Sequence, residues 1–127
     1  MSSIIVAGIG CRRDCPTDAV IAVLYRAFAQ AGYRASVLAA PEFKAGEPGL
    51  RAAAEELGLD FVTIGRSALE AVQGRCLTPS AASLRTFGIA AIAEGCALAA
   101  AGPNGRLVLA RIAGEGTTCA LAESGAQ

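Results

Sequence analysis

The 127-residue sequence predicts an α/β fold: a three-layer α/β/α single domain, residues 1–127, on a mixed, mostly parallel sheet. Three observations carry that expectation. Short apolar runs alternate with segments of helical periodicity, the pattern of βαβ units. Apolar residues make up 54% of the chain, but aromatics only 5%, with no Trp and much alanine. Small side chains of this kind suit helices packed closely on a sheet better than the core of a large sandwich. The length suits one hydrophobic core, and no repeat or linker divides it.

Ser3–Ala7 reads as a strand buried on both faces, closed by Gly8-Ile9-Gly10. From Pro16 to Ala31, apolar residues recur at Val20, Val23, Leu24, Ala27, Phe28 and Ala31, the stripe of a helix. Thr17-Asp18 supplies capping chemistry at its start and Gly32 a stop. Arg34–Ala39 is a second strand, which completes a right-handed βαβ unit with parallel strands. Pro41–Gly49 is a polar connection, and Leu50, Ala53, Ala54 and Leu57 mark the buried face of a helix ended by Gly58. Phe61–Ile64 is a third strand. Ser67 and Glu70 form a capping-box pattern opening a short helix that Gln73-Gly74 closes. Thr78-Pro79-Ser80 starts another, with Pro at its first position, running to Gly88. Ile89–Ala101 is an alanine-rich helix stopped by Gly102-Pro103. Arg106–Ile112 and Thr117–Ala122 are strands joined across residues 113–116, a hairpin that makes the sheet mixed.

Eleven basic and eleven acidic residues cancel, which argues against nucleic acid as partner, since phosphate neutralisation demands a basic excess. An anionic ligand would need a local cluster of Arg and Lys. Five cysteines form no CxxC pair and histidine is absent, so neither a zinc site nor an imidazole base is expected. The thiols read as reduced residues of a cytoplasmic protein. No export signal is recognisable, and Glu94 and Gly95 interrupt the longest apolar stretch, which is too short for a membrane span.

Chemistry has five candidate places. Gly8-Ile9-Gly10-Cys11-Arg12-Arg13 follows the first strand, where glycines let a ligand approach main-chain N–H groups and arginines pair with an anion. The third glycine of a dinucleotide fingerprint is replaced by Arg13. Lys44 and Glu47 follow the second strand and belong to the same edge of a parallel sheet, where α/β proteins bind ligands; the spacing equally fits a solvated pair. Ser80 either caps a helix or faces a ligand. Glu94, a carboxylate in an apolar run, lies either at a helix edge or buried with partners. Thr117-Thr118 offers hydroxyls to a ligand or to a turn.

Taken in order, "VAGIGCRR", "FKAGEPGL", "LTPSAAS", "GIAAIAEGCALAAAG" and "TTCALA" resemble the CobE/CbiG C-terminal family of cobalamin biosynthesis, over roughly Ser3 to Ala122. The resemblance implies a three-layer α/β/α domain with a mixed sheet. It implies a substrate-binding role for Gly8, Gly10, Cys11, Arg12, Arg13, Lys44, Glu47, Ser80 and Glu94, the positions of the family's recurring features. Asp14 and Gly95-Cys96 depart from the family pattern, and Asp14 weakens a purely cationic loop. In CbiG the module follows further domains and is linked to opening a lactone on a cobalt-precorrin with release of acetaldehyde. That whole activity is not expected of the module alone.

Two readings of function stay open. The first is a binding protein for a precorrin or corrin intermediate, a carrier between pathway enzymes, with an apolar cleft for the ring and Arg12, Arg13 and Lys44 for its carboxylate arms. The second is a hydrolase or lyase on a precorrin side chain, with Glu47 or Glu94 as general acid/base. Weaker still is a structural partner of a pathway methyltransferase. Neither cofactor, metal nor membrane is expected in any of these. Without an imidazole, recognition through the carboxylates is favoured over axial ligation of cobalt.

Overall fold

The apolar runs of the first half become three parallel strands. In the structure, a computed structural model that describes residues 3–125, β1 (Ile5–Cys11) pairs with β2 (Val37–Pro41), and β2 with β3 (Asp60–Ile64). The second half adds a hairpin, β4 (Arg106–Ala113) and β5 (Thr117–Glu123). β5 inserts antiparallel between β1 and β4, so the sheet order is β3-β2-β1-β5-β4. Only β5 runs against the others. The carboxyl ends of β1 to β4 and the start of β5 therefore meet at one edge.

Strand alternation divides the core into two layers. Ile5, Ala7 and Ile9 of β1 point with Leu38, Ala40, Cys119 and Leu121 towards α1 (Thr17–Ala31) and α2 (Pro48–Leu57). On the other face, Val6, Ala39, Ile64 and Ala122 meet α3 (Arg66–Ala71) and α5 (Ile92–Ala101), and α4 (Ala81–Phe87), with no buried residue, lies outside that core. The predicted stripes hold: Val20, Val23, Leu24 and Ala27 are the buried residues of α1, and Leu50, Ala53, Ala54 and Leu57 are buried in α2. Gly32 and Gly58 end these helices in the left-handed conformation. Among the described residues no single helix is long and apolar enough to cross a membrane.

Several boundaries differ from the sequence expectation. β1 does not stop at Ala7; Gly8 and Gly10 lie inside the strand. α5 crosses β1 so closely that a Cβ on Gly8 would meet the Ala93 carbonyl and the Ala97 nitrogen, so that glycine serves helix–sheet contact rather than a turn. The capping box of α3 does not form. Ser67 sits within the helix, Gly65 is the cap, and Glu70 pairs with Arg66 at 3.7 Å. Pro79 precedes α4 rather than opening it: Ser80 is the cap, its Oγ accepting the Ser83 N–H at 3.2 Å. α5 begins three residues late, at Ile92, because the chain turns between Gly88 and Ala91.

Candidate functional site

The shared carboxyl edge holds a cleft of about 500 Å³. One side is Gly10, Cys11 and Arg12 at the end of β1, with Phe43 and Lys44 in the 3₁₀ turn Glu42–Lys44 after β2. Facing it are Ser80, Ser83, Thr86 and Phe87 of α4 and its cap. Ile92 and Ala93, the first turn of α5, also line it, and the β4–β5 hairpin contributes Arg111, Ala113, Thr117 and Thr118. Three cationic side chains and five hydroxyls border this space, and among the described residues no Asp or Glu does. Ala91, in the cap position of α5, offers no side-chain acceptor to the leading N–H groups, which carry the positive end of the helix dipole.

Of the residues singled out from sequence, Gly10, Cys11, Arg12, Lys44, Ser80, Thr117 and Thr118 line the cleft. Arg12 is exposed; its main-chain N–H donates to the Gly116 carbonyl at 3.0 Å, and its side chain lies against Gly116, whose φ is +65°. The Lys44 ammonium stands 5.7 Å from the Phe87 ring centre. Cys11 is a neutral thiol at physiological pH: burial, then the neighbouring Cys15 thiol, push it up to about 12.

The other four do not line it. Gly8 is buried beneath α5, and Arg13 points to solvent. Glu47 does not pair with Lys44; its Oε1 accepts the main-chain N–H of Asp14 at 2.9 Å, bracing the β1–α1 loop where Asp14 takes a φ of 60°. Glu94 is 1% exposed and fully engaged. Its Oε1 accepts the N–H groups of Leu77 (2.7 Å) and Thr78 (2.9 Å); its Oε2 accepts the Thr78 hydroxyl (2.8 Å) and the Arg111 N–H (2.9 Å). Burial pushes its pKa up, but these four donors outweigh burial and hold the carboxyl below its ordinary value of 4.5. A carboxylate with both oxygens doubly occupied has no lone pair to offer a substrate. Glu94 thus braces the cleft walls, and Glu47, with Oε1 on the Asp14 N–H, lies outside the cleft lining.

Sequence reasoning passed over Arg111, Phe43, Phe87, Ser83 and Thr86. Arg111 lay in a run read as plain strand, and nothing in its spacing marks the register shifts of β4. The aromatic pair had a fainter signal, since Phe43 opens one of the quoted islands and Phe87 directly precedes another.

Fold and site together define a class: an open three-layer α/β protein whose mixed sheet carries a cation-bordered cleft at its carboxyl edge. The family described as cobalamin synthesis G C-terminus matches residues 5–122, and the chain belongs to it. It is a cobalamin-biosynthesis protein. It is 34% identical to protein CobE of a Sinorhizobium species over 121 residues, 93% of this chain and 79% of that one. The crystal structure of CobE from the cobalamin (vitamin B12) biosynthetic pathway superposes with a TM-score of 0.90 at 34% identity, covering 97% of this chain and 92% of that one. Cobalamin biosynthesis protein chiG of Agrobacterium tumefaciens follows at 0.74 and 35%, covering 94% and 97%. A cobalamin biosynthesis protein G homolog from Sulfolobus solfataricus shares the fold at 0.74 and 23%, with this chain spanning 38% of its length.

Proposed function

We propose that this protein binds a polycarboxylate precorrin or corrin intermediate in the cleft and carries it between cobalamin-pathway enzymes in the cytoplasm. The observation that carries the reading is the charge asymmetry of the lining: Arg12, Lys44 and Arg111 with no Asp or Glu. Corrin intermediates are apolar discs edged by ionised acetate and propionate arms, so the ring matches the Phe43, Phe87, Ile92 and Ala93 walls while the arms match the cations. Holding is favoured over turnover because Glu94 has both oxygens occupied and Glu47 is not among the residues that line the cleft. Five free thiols fit a reducing compartment.

Titration with a metal-free corrinoid bearing free carboxylates, followed by its visible absorbance, tests this. Saturable binding with the corrinoid recovered unchanged supports a carrier. A new product would instead establish the hydrolase or lyase, and no binding would remove the reading.

A further inference from the structure

We infer that Arg111 is the principal carboxylate anchor of the cleft and that Glu94 is the residue that positions it. The inference rests on the polycarboxylate reading above and assigns it to particular groups.

It begins with the register of β4. Pairing with β5 slips twice, between Leu107 and Leu109 and again between Leu109 and Ile112, and resumes at Ile112–Cys119. Arg111 lies in the second irregularity. Bulges of this kind re-aim a side chain and free a main-chain group from the ladder. Both consequences are visible at Arg111, whose side chain lines the cleft while its N–H donates to Glu94 Oε2 at 2.9 Å. The same carboxylate holds Leu77 and Thr78, just ahead of the α4 wall. One buried side chain on α5 therefore ties the β4 wall to the segment that starts the α4 wall.

A further observation points to a ligand at Arg111. The ion pairs among the described residues are Arg66–Glu70 and Arg106–Glu123, so the half-buried Arg111 has no carboxylate of its own. A carboxylate arm in the cleft would supply that missing partner to its guanidinium fork. Arg12 is exposed, whereas Arg111 is half-buried and its main chain is held by Glu94. A side chain whose backbone is fixed in advance loses less freedom on binding than one on a solvated loop.

The test uses two probes, cobyrinic acid followed by visible absorbance and mellitate (benzene hexacarboxylate) by calorimetry, on wild type, Arg111→Ala, Arg111→Lys, Glu94→Gln and Arg111→Ala/Glu94→Gln, with Arg85→Ala as the charge-matched control. Arg111→Ala is expected to weaken both probes roughly tenfold or more, with Arg111→Lys intermediate and Arg85→Ala close to wild type. Glu94→Gln is expected to weaken binding in the wild-type background but not in the Arg111→Ala background, since a positioning residue acts through its partner. Equal affinities of wild type and Arg111→Ala for both probes would overturn the anchor. An equal loss from Glu94→Gln in both backgrounds would overturn the positioning role, and if that variant does not fold, Arg111→Ala still decides the anchor. Mellitate binding that depends on Arg111, with no binding of cobyrinic acid, would keep the anchor and overturn the corrinoid reading; binding of neither probe would overturn both.

Discussion

The ring of Phe87, the last residue of α4, stacks on Phe43 with centroids 4.8 Å apart and planes 23° from parallel. Because α4 has no buried residue, this stack is a main tie between the helix and the rest of the molecule. Arg66 adds a second, donating to the Phe87 carbonyl at 2.6 Å. The cleft is thus bounded on one side by firm strand ends and on the other by a lightly held helix, whose Gly88 stop has a φ of 76°.

Phe87→Ala removes the stack and the ring beneath the Lys44 ammonium. An aromatic pair contributes about 0.5–1.5 kcal/mol beyond its buried area, so global stability should fall by about 1 kcal/mol. The local effect should be larger. Amide hydrogen exchange is expected to speed up across residues 81–87 while the amides of β1 and β5 stay protected. Unchanged protection over α4 would show that other contacts hold it.

Glu94 makes stability depend on acid in a definite direction. Its folded-state pKa is lowered from 4.5, while in the unfolded chain it returns to that value. The unfolded state therefore binds the proton more readily, and the contribution is fully present above 4.5 and lost as pH falls from there through the folded-state value. Glu94→Gln places an amide NH₂ where only acceptors fit, and at pH 7 it should cost ~2–3 kcal/mol. The gap between the two proteins should narrow as pH is lowered below 4.5. Thermal unfolding at pH 7 and pH 4 measures it; a gap that stays constant or widens in acid would contradict the carboxylate's role.

Gly8→Ala tests the contact that the strand makes with α5. The added methyl has no room against the Ala93 carbonyl and the α5 backbone, and backbone cannot yield as a flexible side chain does. Overpacking of this kind costs roughly 3 kcal/mol. Gly46→Ala is the natural comparison, because open space surrounds that position and its backbone is not left-handed. Its stability should stay at or slightly above wild type. Similar melting temperatures for wild type and Gly8→Ala would mean that α5 shifts away from β1.

These contrasts mark what a sequence can convey. Helical stripes such as Val20, Val23, Leu24 and Ala27, and the hairpin turn between Ala113 and Thr117, are local patterns, and the structure keeps them. The edge shared by Arg12 and Lys44 was also legible, since parallel connection alone places both after strand ends. Gly8 was not: a glycine after an apolar run looks the same whether it turns the chain or admits a helix, and only the tertiary approach of α5 distinguishes them. Glu47 was read against its neighbour Lys44, yet its partner is the N–H of Asp14, 33 residues away. Arg111 depends on a register between two strands, which no single segment records.

Arg12 separates a clamp from a solvated side chain. It borders the cleft but is exposed, and its tie to the rest of the fold is a main-chain bond to Gly116 that Arg12→Ala keeps. Stability should therefore stay within about 0.5 kcal/mol of wild type. Binding should respond differently. An exposed charge pair contributes about 0.2–1 kcal/mol, so affinity for cobyrinic acid should fall by a factor between about 1.4 and 5, less than for the half-buried Arg111. Being open to solvent, the interaction is also screened, and the difference between wild type and Arg12→Ala should shrink as salt rises from about 0.01 to 0.15 M, where the Debye length drops from about 30 to 8 Å. Titrations of both proteins at those two ionic strengths measure it. Affinities that coincide at low salt would mean that Arg12 takes no part in holding the carboxylate arms, leaving the cation set of the cleft to Lys44 and Arg111.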